Sequence, residues 1–138
     1  MTKPTTPLLA VDAIILYKDE QIVLIQRGNP PFKGEYALPG GFVDLGESVE
    51  NACIREAKEE TNIDVKIIEL IGVFSDPNRD PRGHTVSITF LCEPKNYITK
   101  PKAMDDAKKI RLIHLNDLSK VALAFDHKKI LKEAGFID

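Results

Sequence analysis

Tryptophan is absent from the chain, cysteine occurs only twice, and no apolar run approaches the ~18 residues that a bilayer span requires. The two cysteines, Cys53 and Cys92, lie in the apolar stretches NACIREA and ITFLCEP with no second pair beside them. They cannot build a four-ligand zinc site and read as reduced, buried small hydrophobes. Neither sign of charge is in excess: the net charge is −2, so no overall basic field recruits nucleic acid or an acidic membrane. The opening stretch MTKPTTPLLA has no long apolar segment of the kind that directs export, and a cytoplasmic protein is expected. With 43% hydrophobic and 29% charged residues the composition is that of a folded protein. A single domain, 1–138, is expected from the length.

Proline supplies the punctuation. All nine prolines fall at 4, 7, 30, 31, 39, 77, 81, 94 and 101, leaving 40–76 and 102–138 uninterrupted. LLAVDAIILY and QIVLIQR are apolar, β-branched runs split by a turn-like KDEQ, and they predict a pair of strands. GNPPFKGEYALPGG reads as a loop. Residues 49–61 lack both Pro and Gly and are rich in Ala, Glu and Lys, which predicts a helix with Ser48 as its N-cap. Asn62 suits the left-handed residue that ends it. VKIIELIGVF, HTVSITFLCE and KKIRLIHL predict further strands, and DHKKILKEAG a terminal helix capped by Asp126. Strands on either side of a central helix argue for an α/β domain of the α+β type, with a mixed sheet between helices.

The stretch REAKEETNI (55–63) places Glu56, Glu59 and Glu60 at offsets 0, +3 and +4. At about 100° per residue the three carboxylates share one helical face, where they repel one another. An acid face of this kind is commonly just solvated. Here, however, the helix is entered from LPGGFVDLGES, and residues 41–63 fit the spacing G-x5-E-x7-R-E-U-x-E-E-x-G-U. Gly41, Glu47, Arg55, Glu56, Ala57, Glu59, Glu60 and Ile63 match in order; Asn62 stands where the pattern has Gly. This segment resembles the Nudix box. The resemblance implies a Nudix fold and a divalent metal, usually magnesium with manganese as a substitute, held by Glu56, Glu59, Glu60 and the backbone carbonyl of Gly40. It also implies that Glu47 and Arg55 pair to brace the loop against the helix.

Nudix hydrolases cleave nucleoside diphosphates linked to a second group, and the box does not select among them. The loop SDPNRDPRGHTVS (75–87) carries Arg79, Arg82 and His84, and a guanidinium fork binds phosphate bidentately. With RGNPPFKGEYALPGGFVDLGE and AFDHKKIL, this loop is similar to the short ADP-ribose pyrophosphatases of the family, over residues 8–134. That similarity implies hydrolysis of ADP-ribose to AMP and ribose 5-phosphate. Arg27 is a candidate phosphate contact, and Phe125 a candidate platform for adenine or simply a core residue. His127 carries little signal, and His114, within an apolar strand, reads as structural.

The general base stays open. Asp106 is the first choice and Asp105 the second, both in the loop before a strand, with Glu56 the alternative on the helix. Two other readings remain: a Nudix hydrolase of another nucleotide, and an ADP-ribose-binding sensor without catalysis. Intact carboxylates and the absence of residues for a DNA-binding domain weigh against the sensor. The expected partner is a small nucleotide, with no nucleic acid or membrane, and a homodimer is open.

Overall fold

The structure is a computed structural model that describes residues 3–104 and 107–138. β1 (Leu8–Tyr17) is its hub. It forms a hairpin with β2 (Gln21–Arg27) through Leu16 opposite Ile22 and Tyr17 opposite Gln21. It also runs parallel to β6 (Thr85–Pro94) from the Leu8–Thr85 pair to the Ile15–Cys92 pair. Two short strands lie in the loop expected between β2 and the helix: β3 (Tyr36–Ala37) on β2, and β4 (Gly40–Phe42) on the first half of β1. β5 (Val65–Phe74) pairs with β6, and β7 (Ala107–His114) with β2. The sheet order is β3-β2-β1-β6-β5, with β4 on β1 and β7 on β2.

The pleat of β1 explains why the sheet is covered on both faces. Val11, Ala13, Ile15 and Tyr17 point one way, beneath Ala52, Cys53 and Ala57 of α1 (Val49–Thr61). Ile14 points the other way and packs with Leu24 of β2 and with Ile130 and Leu131 of α2 (His127–Glu133). A strand buried on both faces must be apolar almost throughout, as this one is. Asp12 breaks that pattern on the α2 side. The expected mixed sheet between helices is therefore the observed architecture. A 3-10 turn at Leu115–Lys120, not anticipated from the sequence, closes the α2 face with the buried Leu118.

Both caps of α1 are where the sequence puts them. The Ser48 hydroxyl accepts from the Asn51 N–H at 3.1 Å, and Asn62 is left-handed at φ 64, its own N–H donating to the Lys58 carbonyl at 3.0 Å. Asp126 precedes α2 but makes no capping bond, because its carboxylate is engaged elsewhere. His114 ends β7 and accepts from the Asn116 N–H at 3.0 Å, capping the 3-10 turn rather than filling the core. Cys53 and Cys92 are buried with their Sγ atoms 3.7 Å apart and no disulfide between them. Their mutual hydrogen bond and their burial push the Cys53 thiol well above its ordinary pKa. No helix among the described residues is long and apolar enough to cross a membrane.

The left-handed cap carries a direct expectation. Asn62→Ala is expected to cost about 1–2 kcal/mol, because a Cβ-bearing residue without a polar side chain is poorly accommodated at that φ. Asn62→Gly is expected to stay within about 0.5 kcal/mol of the parent, relief of strain offsetting lost chain entropy. Thermal unfolding of the two variants is the check; an Ala variant as stable as the parent would rule out the cap as the constraint.

Candidate active site

Gly40 and Gly41 lie where three elements close on one another. A Cβ on Gly40 would stand 2.6 Å from Asp12 Oδ1, and a Cβ on Gly41 would stand 2.5 Å from the Glu56 carboxyl carbon. Side chains are excluded at Gly40 by the Val11 carbonyl and the Asp12 carboxylate of β1, and at Gly41 by the Glu56 carboxylate of α1. The Gly40 N–H donates to Glu60 Oε1 at 2.8 Å. Glu60 is only 8% exposed, and burial pushes its pKa up to about 8, with Glu56 and Asp12 adding to the rise. Burial raises Glu56 as well. These are oxygen donors of the hard type that magnesium and manganese favour, and a buried, charge-crowded carboxylate is one that a cation stabilises in its ionised form.

The acid face is not bare. Arg55 reaches forward along the helix, its Nη1 lying 2.8 Å from Glu56 Oε1 and 3.2 Å from Glu59 Oε2. Its Nε and Nη2 grip Glu47 at 2.7 and 3.0 Å, and Nη2 also donates to the Phe42 carbonyl at 3.0 Å. The hydrogen bond from Arg55 draws the Glu47 pKa down to about 2. Arg55 thus joins the loop, β4 and α1 while neutralising part of the acid face. Among the described residues, no three His, Cys, Asp or Glu side chains are gathered as a finished metal cage. Arg55 contacts only Oε1 of Glu56, and it meets Glu59 at 3.2–3.3 Å.

The 75–87 loop differs from the sequence expectation of two forks open to phosphate. Arg79, its side chain 5% exposed, donates through Nε and Nη2 to both oxygens of Asp126 at 2.9 and 2.7 Å. Burial works against its charge, yet Asp126, Asp12 and Asp80 hold its pKa above the ordinary value. Arg82 forks onto Asp80 at 3.1 and 2.8 Å. Its guanidinium carbon lies 5.0 Å from the Phe42 ring centre and 5.3 Å from that of Phe125. The reason is local: Asp80 stands two residues before Arg82, within reach of a short turn. His84 is not at the cavity; its Nε2 lies 3.0 Å from the Ser75 carbonyl and closes the loop.

Phe125 does reach the cavity, on a left-handed backbone at φ 53. The Arg27 guanidinium lies 4.9 Å from its ring centre, and Phe32 packs edge-on at 4.8 Å. A base stacked on Phe125 competes with Arg27 and Arg82 for the ring. Arg27 also donates from Nε to the Pro31 carbonyl at 2.7 Å. Asp105 and Asp106 lie outside the described residues.

Beneath these groups is a buried polar network that sequence reasoning missed. Asp12 accepts from the Ser87 hydroxyl and stands 3.4 Å from His127 Nε2. The Leu38 N–H donates to His127 Nδ1 at 3.0 Å, which places the ring proton of the neutral form on Nε2, toward Asp12. Burial lowers the His127 pKa and favours that neutral form. The available signal was Asp12 itself, a lone acid within LLAVDAIILY, since a charge in a buried strand requires partners. Asp12, Glu56, Glu60, Arg82 and Phe125 line a cavity of about 260 Å³.

Comparison with known proteins places the fold and the sequence. The ADP-ribose pyrophosphatase of Methanocaldococcus jannaschii is 54% identical over 127 residues, covering 92% of this chain and 72% of its own. The NUDIX domain of Shewanella oneidensis NrtR, solved with ADP ribose, superposes with a TM-score of 0.83 at 29% identity, over 94% of this chain and 87% of that one. A bifunctional NMN adenylyltransferase/ADP ribose pyrophosphatase from Francisella tularensis, solved with AMP and a Mn ion, gives a TM-score of 0.82 at 32% identity. It covers 97% of this chain, which spans 44% of that protein. Residues 6–134 match the profile of the NUDIX domain, and the chain belongs to the Nudix family.

Proposed function

We propose that this chain, as a single catalytic domain over residues 1–138, hydrolyses the pyrophosphate of ADP-ribose to give AMP and ribose 5-phosphate, with magnesium as the working cation and manganese as a substitute. The observation that carries the reading is the joining, across the Gly40–Gly41 strand, of a buried carboxylate group to an aromatic and guanidinium cavity. The similarity to the Methanocaldococcus jannaschii enzyme supports ADP-ribose over other nucleotides. Glu56, Glu59 and Glu60, with the Gly40 carbonyl, would hold the cation, which when bound neutralises pyrophosphate charge and lowers the pKa of a water.

The chain's own residues divide the remaining work. Arg55 and Glu47 fix the loop that carries β4 against α1. Arg82, held flat by Asp80 between Phe42 and Phe125, presents a planar surface on the nucleoside side. Arg27, which lines the same cavity beside Phe125, is the candidate phosphate contact. Asp12, through His127 and Leu38, holds the strand entering Gly40 in place. Asp106, then Asp105, is the base that the loop before β7 offers, and Glu56 the alternative.

A cytoplasmic setting suits two buried free thiols. A small-nucleotide partner suits the carboxylate, guanidinium and aromatic lining of the cavity, and the net charge of −2 gives no basic field for nucleic acid. A second copy of the chain is the natural cover for β5. It is the edge strand of the sheet and leaves Ile68, Leu70 and Val73 about half exposed.

Three expectations follow from these assignments. ADP-ribose is expected to exceed nucleoside triphosphates in kcat/KM. Arg82→Lys is expected to raise the KM for ADP-ribose with little change in kcat, since a point charge replaces a stacked plane. Steady-state kinetics on both substrates decides, and a triphosphate preference would move the chain to another Nudix branch.

The second expectation concerns Glu60. Its carboxyl titrates near 8 in the folded protein against 4.5 for the ordinary value, so the folded state binds the extra proton between those pH values. Metal-free protein is therefore expected to lose stability as pH rises from 4.5 to 8. Magnesium should raise Tm more at pH 8 than at pH 5, and Glu60→Gln should flatten both responses. A Tm shift independent of pH would exclude Glu60 from the metal site.

The third concerns the base. Asp106→Asn is expected to lower kcat by ~10²–10⁴-fold at saturating substrate and metal. Parent-like turnover in both Asp105→Asn and Asp106→Asn, with failure of Glu56→Gln, would place the base on the helix.

A further inference from the structure

A second cavity, of about 640 Å³, opens between the end of β1, β7 and the segment 97–103, and it shares no lining residue with the first. Its size lies within the range of small-molecule sites. Its apolar floor comes from Ile110 and Leu112 of β7 and from the buried Tyr17. Tyr97 meets Tyr17 edge-on, with ring centres 5.1 Å apart and planes at 76°, and stays 48% exposed. Tyr97 is thus an anchored aromatic ring that remains half exposed beside Lys18.

Three lysines surround this aromatic pair. Lys18 Nζ stands 5.9 Å from the Tyr17 ring centre and 5.5 Å from that of Tyr97, and Lys100 and Lys102 complete the lining. Lys58, Lys66 and Lys120 are matched with Asp64, Glu93 and Asp117. Lys18, Lys100 and Lys102 form no ion pair among the described residues. Lys18, Lys100 and Lys102 thus give this concavity a local excess of positive charge in a chain of net charge −2.

The wall is also built rather than loose. The Lys102 N–H donates to the Thr61 carbonyl at 2.9 Å and the Met104 N–H to the Glu60 carbonyl at 3.1 Å. The Asn62 side-chain amide donates to the Lys100 carbonyl at 3.3 Å. The end of α1 thereby fixes the segment that carries two of the three ammoniums.

We propose that this cavity binds a nucleoside monophosphate, with the base on Tyr97 and the phosphate among Lys18, Lys100 and Lys102. A base has a π-face for an aromatic ring, and a phosphomonoester dianion matches a cluster of ammoniums acting as point charges. A nucleic-acid polymer fits less well, because it needs a basic stripe extending beyond one pocket. The site stands independently of the substrate assigned to the first cavity.

The test is an amide-resolved NMR titration of the full chain with AMP, and separately with adenosine and with inorganic phosphate. AMP is expected to shift saturably the amides of Lys18, Tyr97, Lys100 and Lys102, as a set distinct from those around Phe125. The combined Lys18→Ala, Lys100→Ala and Lys102→Ala variant should weaken that set about tenfold, the sum of three exposed charge contacts, and leave turnover and the Phe125 set unchanged. Higher ionic strength should weaken it further. The proposal is overturned by unmoved amides at Lys18 and Tyr97, by an undiminished response in the lysine variant, or by inorganic phosphate acting as strongly as AMP.

Discussion

Gathering carboxylates around the Gly40–Gly41 strand is the constraint on which the rest of this structure depends. Asp12 approaches from the sheet face toward α2 and Glu56 from α1, each within a Cβ's reach of a glycine, while Glu60 accepts the Gly40 N–H. Like charges at such range raise one another's pKa and oppose folding unless something offsets them. Arg55 at 2.8 Å from Glu56 and Arg79 at 4.0 Å from Asp12 do so in part, and three forks hold the carboxylates around the cluster: Arg55 on Glu47, Arg79 on Asp126 and Arg82 on Asp80. Each fork also ties a loop to a neighbouring element or to itself, so charge balance and loop order have the same origin.

The three forks differ in what they leave available. Arg79 is buried and committed to joining the 75–87 loop to the start of α2. Asp126 gives up its capping role to receive it, a loss that α2 tolerates because Ile130 and Leu131 anchor the helix by burial. Arg55 shares itself among Glu47, Glu56 and Glu59, so the helix carboxylates are held by a partner that a stronger cation can displace. Arg82 lies near two aromatic rings while its Nε and Nη2 hold Asp80, and its Nη1 makes no such bond among the described residues.

The second cavity depends on the same helix. The last turn of α1 carries Glu59 and Glu60 toward the first cavity, and its carbonyls at Glu60 and Thr61 hold the wall of the second. One rigid element, capped at Ser48 and Asn62, positions both.

The short-range features were determined by the sequence alone. The helix over 49–61, both of its caps and the main strands follow from residues within a few positions of each other, where period and reach are set by backbone geometry; the pairing of Glu47 with Arg55 came from the resemblance to the Nudix box. Arg55 meeting Glu59 at i, i+4 is a short-range feature too, although its presence on the acid face was not read from it. What only the tertiary structure decided is the choice of distant partners. Asp12 finds Ser87 and His127, and Arg79 finds Asp126 rather than a ligand, because a buried charge takes whichever complement packing delivers. Strand order, with β1 parallel to β6 and antiparallel to β4, makes that delivery. Local periodicity carries no information about it.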